Sequence, residues 1–365
     1  MDKETLKLID EVIEKYDLKG EISGVEICLN GHINDTYHVK LDEGNERDVE
    51  YIFQRINGTV FEDPIKIMDN LKEITAHLDS KGLCSDCEIL TFLDNKDGEN
   101  YSFHGGNLWR VSYFVENSVA YEVADDLKIL KSAGYAFGRF QHQLADFPME
   151  KLHETIPDFH NTKKRLEHFF AMVEKDPLDR VKDIKEDIEF FREYRDLASK
   201  LTDMQEAGEL PLRVVHNDTK YNNILMDKNT NEPLCVIDLD TVMPGLSAHD
   251  LGDAIRFAAN TAVEDERDLS KVALDMEKYE AFTEGFIGAA KDFLTKAELE
   301  TMALGAITIT IELASRFLGD HINGDKYFRV LRENHNLDRA RCQIRLAQDM
   351  LKKYEEMKKI VKKYS

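Results

Sequence analysis

The chain has 365 residues, of which 42% are apolar and 33% are charged, and its formal net charge is −23. This length exceeds what one compact core usually holds, so we expect a globular protein of two lobes. The net negative charge argues against nucleic-acid binding, which needs a basic patch that releases counterions. No apolar run approaches the length that a membrane span needs, so a membrane partner is not expected either.

The N-terminal segment and the cysteines indicate the cellular compartment of the protein. Residues 1–14 predict an amphipathic helix and lack the apolar core of a signal peptide. The five cysteines are odd in number and are best interpreted as reduced thiols. Cys84 and Cys87 form a lone CxxC pair with no second pair at ligand spacing, so no metal is assigned to them. These features predict a cytoplasmic protein.

The first third of the chain carries the pattern of a small β-rich lobe. Strands are predicted at residues 24–29, 36–41 and 49–55 from their β-branched content and the polar turns between them. A helix is predicted at residues 64–81, where apolar residues recur at spacings of three and four. A further apolar strand is expected at residues 109–115 and leads toward the second lobe.

The remaining residues are predicted to be mainly helical, because their apolar positions follow the helical repeat between polar turns. The predicted helices span residues 125–144, 166–173, 184–201, 276–290, 296–317 and 338–363. The pattern as a whole predicts an α+β chain, with residues 1–115 as the small N-terminal lobe and residues 116–365 as the larger, mainly helical lobe. No self-complementary apolar patch is evident, so we expect a monomer.

The strongest functional signal is a pair of polar segments on either side of a short apolar hairpin. His216 and Asp218 are followed by Asn223, and the apolar run 233–237 then ends at Asp238. In phosphoryl transfer one carboxylate orients or deprotonates the attacking hydroxyl, while an Asn and a second Asp hold Mg²⁺ against the nucleotide phosphates. Asp218 is the predicted base, and Asn223 and Asp238 the predicted metal ligands. A polar turn is the plainer alternative, but an acid that ends a buried strand requires a cation or hydrogen-bond donors.

A kinase-like small lobe usually carries a strand lysine that grips the phosphates and pairs with a helical glutamate. The predicted helix offers Glu73, but the strand at residues 49–55 offers Gln54 and Arg55 where the lysine is expected. Arg55 is one candidate for the missing charge and Lys40 on the preceding strand is another, and the sequence leaves the choice open.

These motifs, followed by Asp250-Leu251-Gly252-Asp253, resemble the aminoglycoside phosphotransferase-like kinases, which include choline, homoserine and sugar kinases. Longer strings at residues 31–37, 236–245 and 315–321 are similar to those of the N-acetylhexosamine 1-kinases within that family. The resemblance covers about residues 24–349. It implies a two-lobed protein-kinase-like fold and direct in-line transfer from ATP, with Mg²⁺, to the anomeric C1 hydroxyl of N-acetylglucosamine or N-acetylgalactosamine.

The resemblance also implies roles for individual residues. It supports Asp218 as the base and Asn223 with Asp238 as the Mg²⁺ ligands, while Asp250 braces the catalytic loop and His216 is structural. The turn at residues 30–35 would lie near the phosphates and the sugar, although most Asn-Gly turns simply join strands. The candidate nucleotide contacts are Gly31, Lys40, Gln54 and Arg55.

The candidate sugar contacts come from the small lobe, from the segment after Asp250 and from the long helix near the C-terminus. They are His32, Asp35, Phe257, Arg316, Asp320 and His321. Arg316 and Asp320 lie four residues apart on a helix, so they share a face and either read the sugar or form an intrahelical salt bridge. Phe257 is either an apolar wall for the sugar ring or part of the core.

Two other functions stay open. One is a kinase of the same architecture that acts on homoserine, choline or an aminoglycoside, although cationic acceptors need an acidic or aromatic cage and Arg316 disfavours a cation. The other is a nucleotide-binding regulator without turnover, which the absent strand lysine suggests and the intact set of Asp218, Asn223 and Asp238 argues against. The sequence does not decide between gluco and galacto acceptors.

Overall fold

A small antiparallel sheet lies at the N-terminal end of the computed structural model, which describes residues 3–28, 34–44, 47–58, 63–82, 90–122 and 126–365. Within that part of the chain the sheet has five strands in the order β1-β2-β3-β5-β4. They are β1 Glu21–Cys28, β2 Asp35–Asp42, β3 Val49–Arg55, β4 Ser102–His104 and β5 Asn107–Tyr113. Alternate residues such as Val39, Leu41 and Phe53 are buried, and they form a small core with the helix α1, Lys3–Ile13.

The larger core lies among the helices that follow and includes the apolar face of α2, Pro64–Ser80. The later helices are α3 Leu127–Gln143, α4 Thr162–Lys175, α5 Lys185–Glu193, α6 Arg195–Glu206, α7 Ser247–Ala258, α8 Met276–Ala290, α9 Lys296–Ile322 and α10 His335–Tyr364. The helix α7 packs closely on α9, because Gly252 and Gly305 lie at the crossing. A Cβ on Gly252 would lie 2.5 Å from the Gly305 oxygen, so a larger residue would force the two helices apart.

Short strands between α6 and α7 carry the polar motifs. The strand β7, Arg213–Val215, pairs with β10, Met243–Gly245. The strand β8, Ile224–Asp227, pairs with β9, Pro233–Val236, and with β6, Ser118–Val119. The loop between β7 and β8 therefore holds the first motif, and Asp238 follows the end of β9.

The predicted α+β class, with a β-sheet region before a helical region, is confirmed. The boundary at residue 115 stays a prediction. The predicted helix at residues 184–201 is two helices that meet at Tyr194. The helix α7 was not predicted, although Ala248, Leu251, Ile255 and Ala258 recur at helical spacing, because the helix is short and carries the buried polar residues His249, Asp250 and Asp253. Three-residue β4 and two-residue β6 are too short for a pattern to reveal.

The helix α9 contradicts one expectation from the sequence, namely that no apolar segment approaches the length of a membrane span. By length and composition alone, α9 could cross a membrane. In the structure 83% of its apolar window is buried inside the protein, as in the core helix of a globular fold.

Candidate active site

Asp250 of α7 binds the backbone of the catalytic loop, residues 216–223. One Asp250 oxygen accepts from the backbone N–H of His216 at 2.9 Å, and the other accepts from that of Asn217 at 2.8 Å. Gln141 of α3 donates to the same carboxylate at 2.6 Å. Asp250 is fully buried, and burial raises its pKa while these donors lower it, with a net rise. The structure thus places Asp250 where it braces the loop.

His216 joins the loop to the strand that precedes Asp238. Its Nδ1 accepts from the backbone N–H of Asp218 at 3.3 Å, so Nε2 carries the proton. That nitrogen lies 2.9 Å from the carbonyl oxygen of Ile237 and donates to it. The two segments that carry Asp218 and Asp238 are therefore held in register by one buried imidazole.

The side chain of Asp218 lies between an amide and an ammonium group. Asn223 donates from Nδ2 to an Asp218 carboxylate oxygen at 3.1 Å, and Lys220 Nζ lies 2.8 Å from the other oxygen. Burial alone would lower the pKa of Lys220, but the charges of Asp218 and Asp253 raise it overall, so the residue stays charged. The sequence reasoning did not single out Lys220, although its position two residues after Asp218 was a usable signal.

Asp238 follows β9 with a left-handed backbone, φ 58°. Desolvation by the surrounding protein raises the pKa of its carboxyl group, and the neighbouring carboxylates of Asp240 and Asp218 raise it further. The residue is nevertheless exposed to solvent, and an acid beside two others is a fitting donor for a divalent cation, whose charge would relieve the repulsion. Among the described residues no three His, Cys, Asp or Glu side chains form a metal site alone. Mg²⁺ does not need such a cage, because it takes one or two carboxylates plus phosphate oxygens and water.

A buried ion pair that the sequence analysis missed joins the sheet to this site. Arg110 of β5 donates to Asp240 at 2.5 Å, and their side chains are only 1% and 3% exposed. Arg110 also donates to Gln54 of β3 at 2.9 Å, and Asn34 donates to the second Asp240 oxygen at 2.6 Å. An arginine within the apolar strand around Trp109 was a signal, because such a residue needs a buried acid.

The other candidate nucleotide contacts lie on the same sheet. Lys40 and Arg55 both face carboxylates, with Lys40 Nζ 3.5 Å from Glu50 and Arg55 Nε 2.8 Å from Asp35. Gln54, besides accepting from Arg110, donates to Thr36. Gly31 lies outside the described residues.

The α2 glutamate that was expected to pair with a strand lysine has a different partner. Glu73 of α2 pairs with Lys151 at 2.7 Å. The buried acid that does meet a strand cation is Asp240, which comes from the segment after β9.

The candidate sugar contacts are not brought to one place. His32 lies outside the described residues, and Asp35 pairs with Arg55. Asp320 accepts from the backbone N–H groups of residues 326–328 and from Asn336, so it holds the loop between α9 and α10. His321 lies beside Arg180, which donates to its carbonyl oxygen at 2.5 Å.

Arg316 has aromatic neighbours in place of the salt bridge considered from the sequence. Its guanidinium carbon lies 5.9 Å from the ring centre of Phe159, 5.8 Å from Tyr327 and 5.5 Å from Phe328. Tyr327 is 72% exposed, so one face of this cluster is open to solvent. Phe257 is partly buried, with its ring centre 5.2 Å from that of Tyr221.

The chain matches the model of the phosphotransferase enzyme family, APH, over residues 24–282. It therefore belongs to that family, and the predicted kinase class is confirmed at this level.

Solved structures of related proteins share the fold. An aminoglycoside phosphotransferase from Alicyclobacillus acidocaldarius has a TM-score of 0.64 at 12% identity, covering 97% of this chain and 96% of that one. A microcompartment-associated aminopropanol kinase has a TM-score of 0.59 at 15% identity, covering 96% and 98%. The amicoumacin kinase hAmiN, in complex with AMP-PNP and Ca²⁺, has a TM-score of 0.57 at 12% identity, covering 98% and 94%. At these identities the likeness establishes the fold alone.

Proposed function

We propose that this protein transfers the γ-phosphoryl group of ATP to the anomeric C1 hydroxyl of an N-acetylhexosamine, either N-acetylglucosamine or N-acetylgalactosamine. The observation that carries the proposal is the convergence of Asp218, Asn223 and Asp238 on one point, with Lys220 beside them. Each of these groups has a distinct part in phosphoryl transfer.

Asp218 orients the attacking hydroxyl and accepts its proton. The carboxylate is held by Asn223 and Lys220, so little motion is needed when the acceptor arrives. Lys220 places a positive charge where the transferred group carries its negative charge, which favours the transition state. No covalent intermediate is required, because positioning and charge neutralisation account for most of the acceleration in this reaction.

Asn223 and Asp238 are the residues that would hold Mg²⁺. Both offer oxygen donors, which this ion prefers, and the carboxylates of Asp240 and Asp218 beside Asp238 add negative charge that a cation would neutralise. A bound Mg²⁺ would neutralise negative charge on the nucleotide phosphates. The hAmiN structure, which contains AMP-PNP and Ca²⁺, supports a nucleotide and a cation in this fold.

The choice of an acetylated sugar rests on two observations. The strings at residues 31–37, 236–245 and 315–321 are similar to those of N-acetylhexosamine 1-kinases. Arg316 lies against the rings of Phe159 and Tyr327, and this combination suits a neutral polar ring: the aromatic faces contact its C–H surface and the guanidinium donates to oxygens. A positive side chain at this position disfavours cationic acceptors.

The test is phosphate transfer from ATP with Mg²⁺ to N-acetylglucosamine, N-acetylgalactosamine, galactose, homoserine and choline in parallel, with the position of the phosphate read by NMR. Turnover on the acetylated sugars with phosphate on C1 is expected. Turnover on another acceptor alone would keep the kinase site and reject the sugar, whereas no transfer to any acceptor would favour a nucleotide-binding protein without turnover.

A further inference from the structure

One buried histidine outside the sequence motifs contacts the catalytic loop. His160 lies just before α4, and its side chain is 10% exposed. Its Nδ1 is 2.9 Å from a carboxylate oxygen of Glu312 on α9, and its Nε2 is 3.4 Å from the carbonyl oxygen of Asn217. Both partners are acceptors, so each ring nitrogen faces an oxygen to which it can donate a hydrogen bond.

Glu312 fixes this imidazole. It is 1% exposed and also accepts from the hydroxyl of Thr162, the first residue of α4, at 2.6 Å. Burial would raise its pKa, but His160, Thr162 and Arg316 together lower that pKa to about 2, so the carboxylate is charged near neutral pH. Three elements, the segment before α4, the start of α4 and the middle of α9, therefore meet at the Glu312 carboxylate.

The contact with Asn217 completes the bonding of an unusual peptide. Asn217 has a left-handed backbone, φ 64°, which is uncommon for a residue other than glycine. Its N–H is held by Asp250, and its side chain donates to the carbonyl oxygen of Thr241 at 2.9 Å. The peptide that joins Asn217 to Asp218 then has its oxygen bound by His160 and its N–H bound by His216.

A planar peptide that is bound on both sides cannot rotate, and its orientation decides where the next side chain points. We infer that His160, held by Glu312, is a positioning residue that fixes the peptide plane carrying the catalytic Asp218. The inference rests on the proposed function, because the orientation of Asp218 affects turnover only if Asp218 is the base. Without His160 the loop keeps its bonds to Asp250 and His216, but the carbonyl oxygen of Asn217 loses its protein donor.

The surroundings of His160 provide a direct test. A cavity of about 380 Å³ is lined by Phe159, His160, Asn217, Gly245 and His249, among other residues. Imidazole from solution can therefore reach the space that a His160→Ala substitution leaves. Rescue of turnover by imidazole would separate loss of the ring's hydrogen bonds from general damage to the fold.

The experiment compares wild type and His160→Ala in steady state on the acceptor that wild type phosphorylates best, together with ATP binding in the presence of Mg²⁺. We expect kcat to fall about 10- to 100-fold, as a displaced catalytic group does, while the Kd for ATP changes little. Added imidazole should restore part of kcat. Glu312→Ala, which removes the carboxylate that orients the ring, should lower kcat in the same way without imidazole rescue.

The matched control is His142→Ala on α3, because the Nδ1 of His142 also bonds a backbone oxygen, but that of Ala289 on α8 and not one of the loop. Its kcat should stay at the wild-type value. If His160→Ala does not fold, His160→Gln, which keeps one donor, provides the same comparison of kcat with ATP binding. A kcat near wild type, or a fall in kcat matched by an equal loss of ATP affinity, would overturn the inference. Absence of transfer by wild type would instead reject the proposed function.

Discussion

Two sets of contacts hold the segment from His216 to Asp240, and they differ in how many residues separate the partners along the chain. On the loop side, Asp250 binds the backbone of His216 and Asn217, which are 34 and 33 residues away. On the sheet side, Asp240 meets Arg110 and Asn34, which are 130 and 206 residues away. The partners of the first set belong to neighbouring motifs, whereas the contacts of the second set depend on how the N-terminal sheet packs against the rest of the protein.

The two sides also differ in the kind of force they use. The loop side consists of hydrogen bonds from backbone N–H groups to a carboxylate, which set direction with little dependence on long side chains. The sheet side is centred on a buried ion pair, where removal of one partner leaves an uncompensated charge. The loop side should therefore control turnover, and the sheet side should control stability and the alignment of the sheet with Asp238.

The largest expected effect comes from Asp218→Asn, which keeps the shape of the side chain and removes its basicity. We expect kcat to fall by about 10²- to 10⁴-fold, the usual contribution of a positioned acid or base. ATP binding and thermal stability should change little. Steady-state kinetics and isothermal titration measure these quantities, and an unchanged kcat would remove Asp218 from the proposed mechanism.

Arg110→Met tests the sheet side. Removing one partner of a buried pair should lower the free energy of unfolding by about 3–5 kcal/mol, measured by urea denaturation. The double variant Arg110→Met with Asp240→Leu should regain part of that loss, because no charge is left unpaired. The matched control is Lys72→Met, whose exposed ion pair with Glu99 should contribute less than about 1 kcal/mol. Equal effects of Arg110→Met and Lys72→Met would contradict the claim that the sheet side depends on a buried ion pair.

Glu312→Gln tests the electrostatics of the loop side through pH. The pKa of Glu312 is lowered from 4.5 to about 2 in the folded protein, so the carboxylate stabilises the fold above pH 4.5. That contribution, at most about 3 kcal/mol, is lost as the pH falls from 4.5 toward 2. Glu312→Gln should flatten this part of the stability curve. A curve that parallels the wild type below pH 4.5 would count against a charged Glu312.

Asp238→Ala separates metal binding from the sheet contacts of its neighbour Asp240. Affinity for ATP in the presence of Mg²⁺ should fall at least about 10- to 100-fold, the range seen when a supporting group of a metal site is lost. Affinity measured with EDTA should be nearly the same in variant and wild type. An ordinary affinity with Mg²⁺ present would show that Asp238 is not a metal ligand.

The comparison of the two sides also explains which site residues could be predicted from the sequence. Asp218, Asn223 and Asp238 belong to one short segment, so their spacing alone indicated that they meet. Arg110 is a charge within an apolar strand, a signal that the sequence analysis missed, and its partner could not have been named, because the Arg110–Asp240 contact depends on the register of the sheet and on its docking. His160 carried no motif, and only the structure places it beside Asn217.

The long helix α9 shows a second limit of sequence patterns. A spacing of four correctly put Arg316 and Asp320 on one helix, but their partners come from loops that no periodicity describes. Arg316 meets Phe159 and Tyr327, and Asp320 holds the backbone of residues 326–328. The helix α7 was missed for a different reason, since its short helical repeat is interrupted by the polar residues His249, Asp250 and Asp253, all of them buried.

The most direct test of the proposed chemistry is phosphate transfer to N-acetylglucosamine and N-acetylgalactosamine by wild type and Asp218→Asn in parallel, with the product followed by phosphorus NMR. We predict a sugar 1-phosphate that accumulates with wild type and ATP–Mg²⁺ and is nearly absent with the variant. Equal product from both proteins, or no sugar phosphate from wild type, would contradict the account.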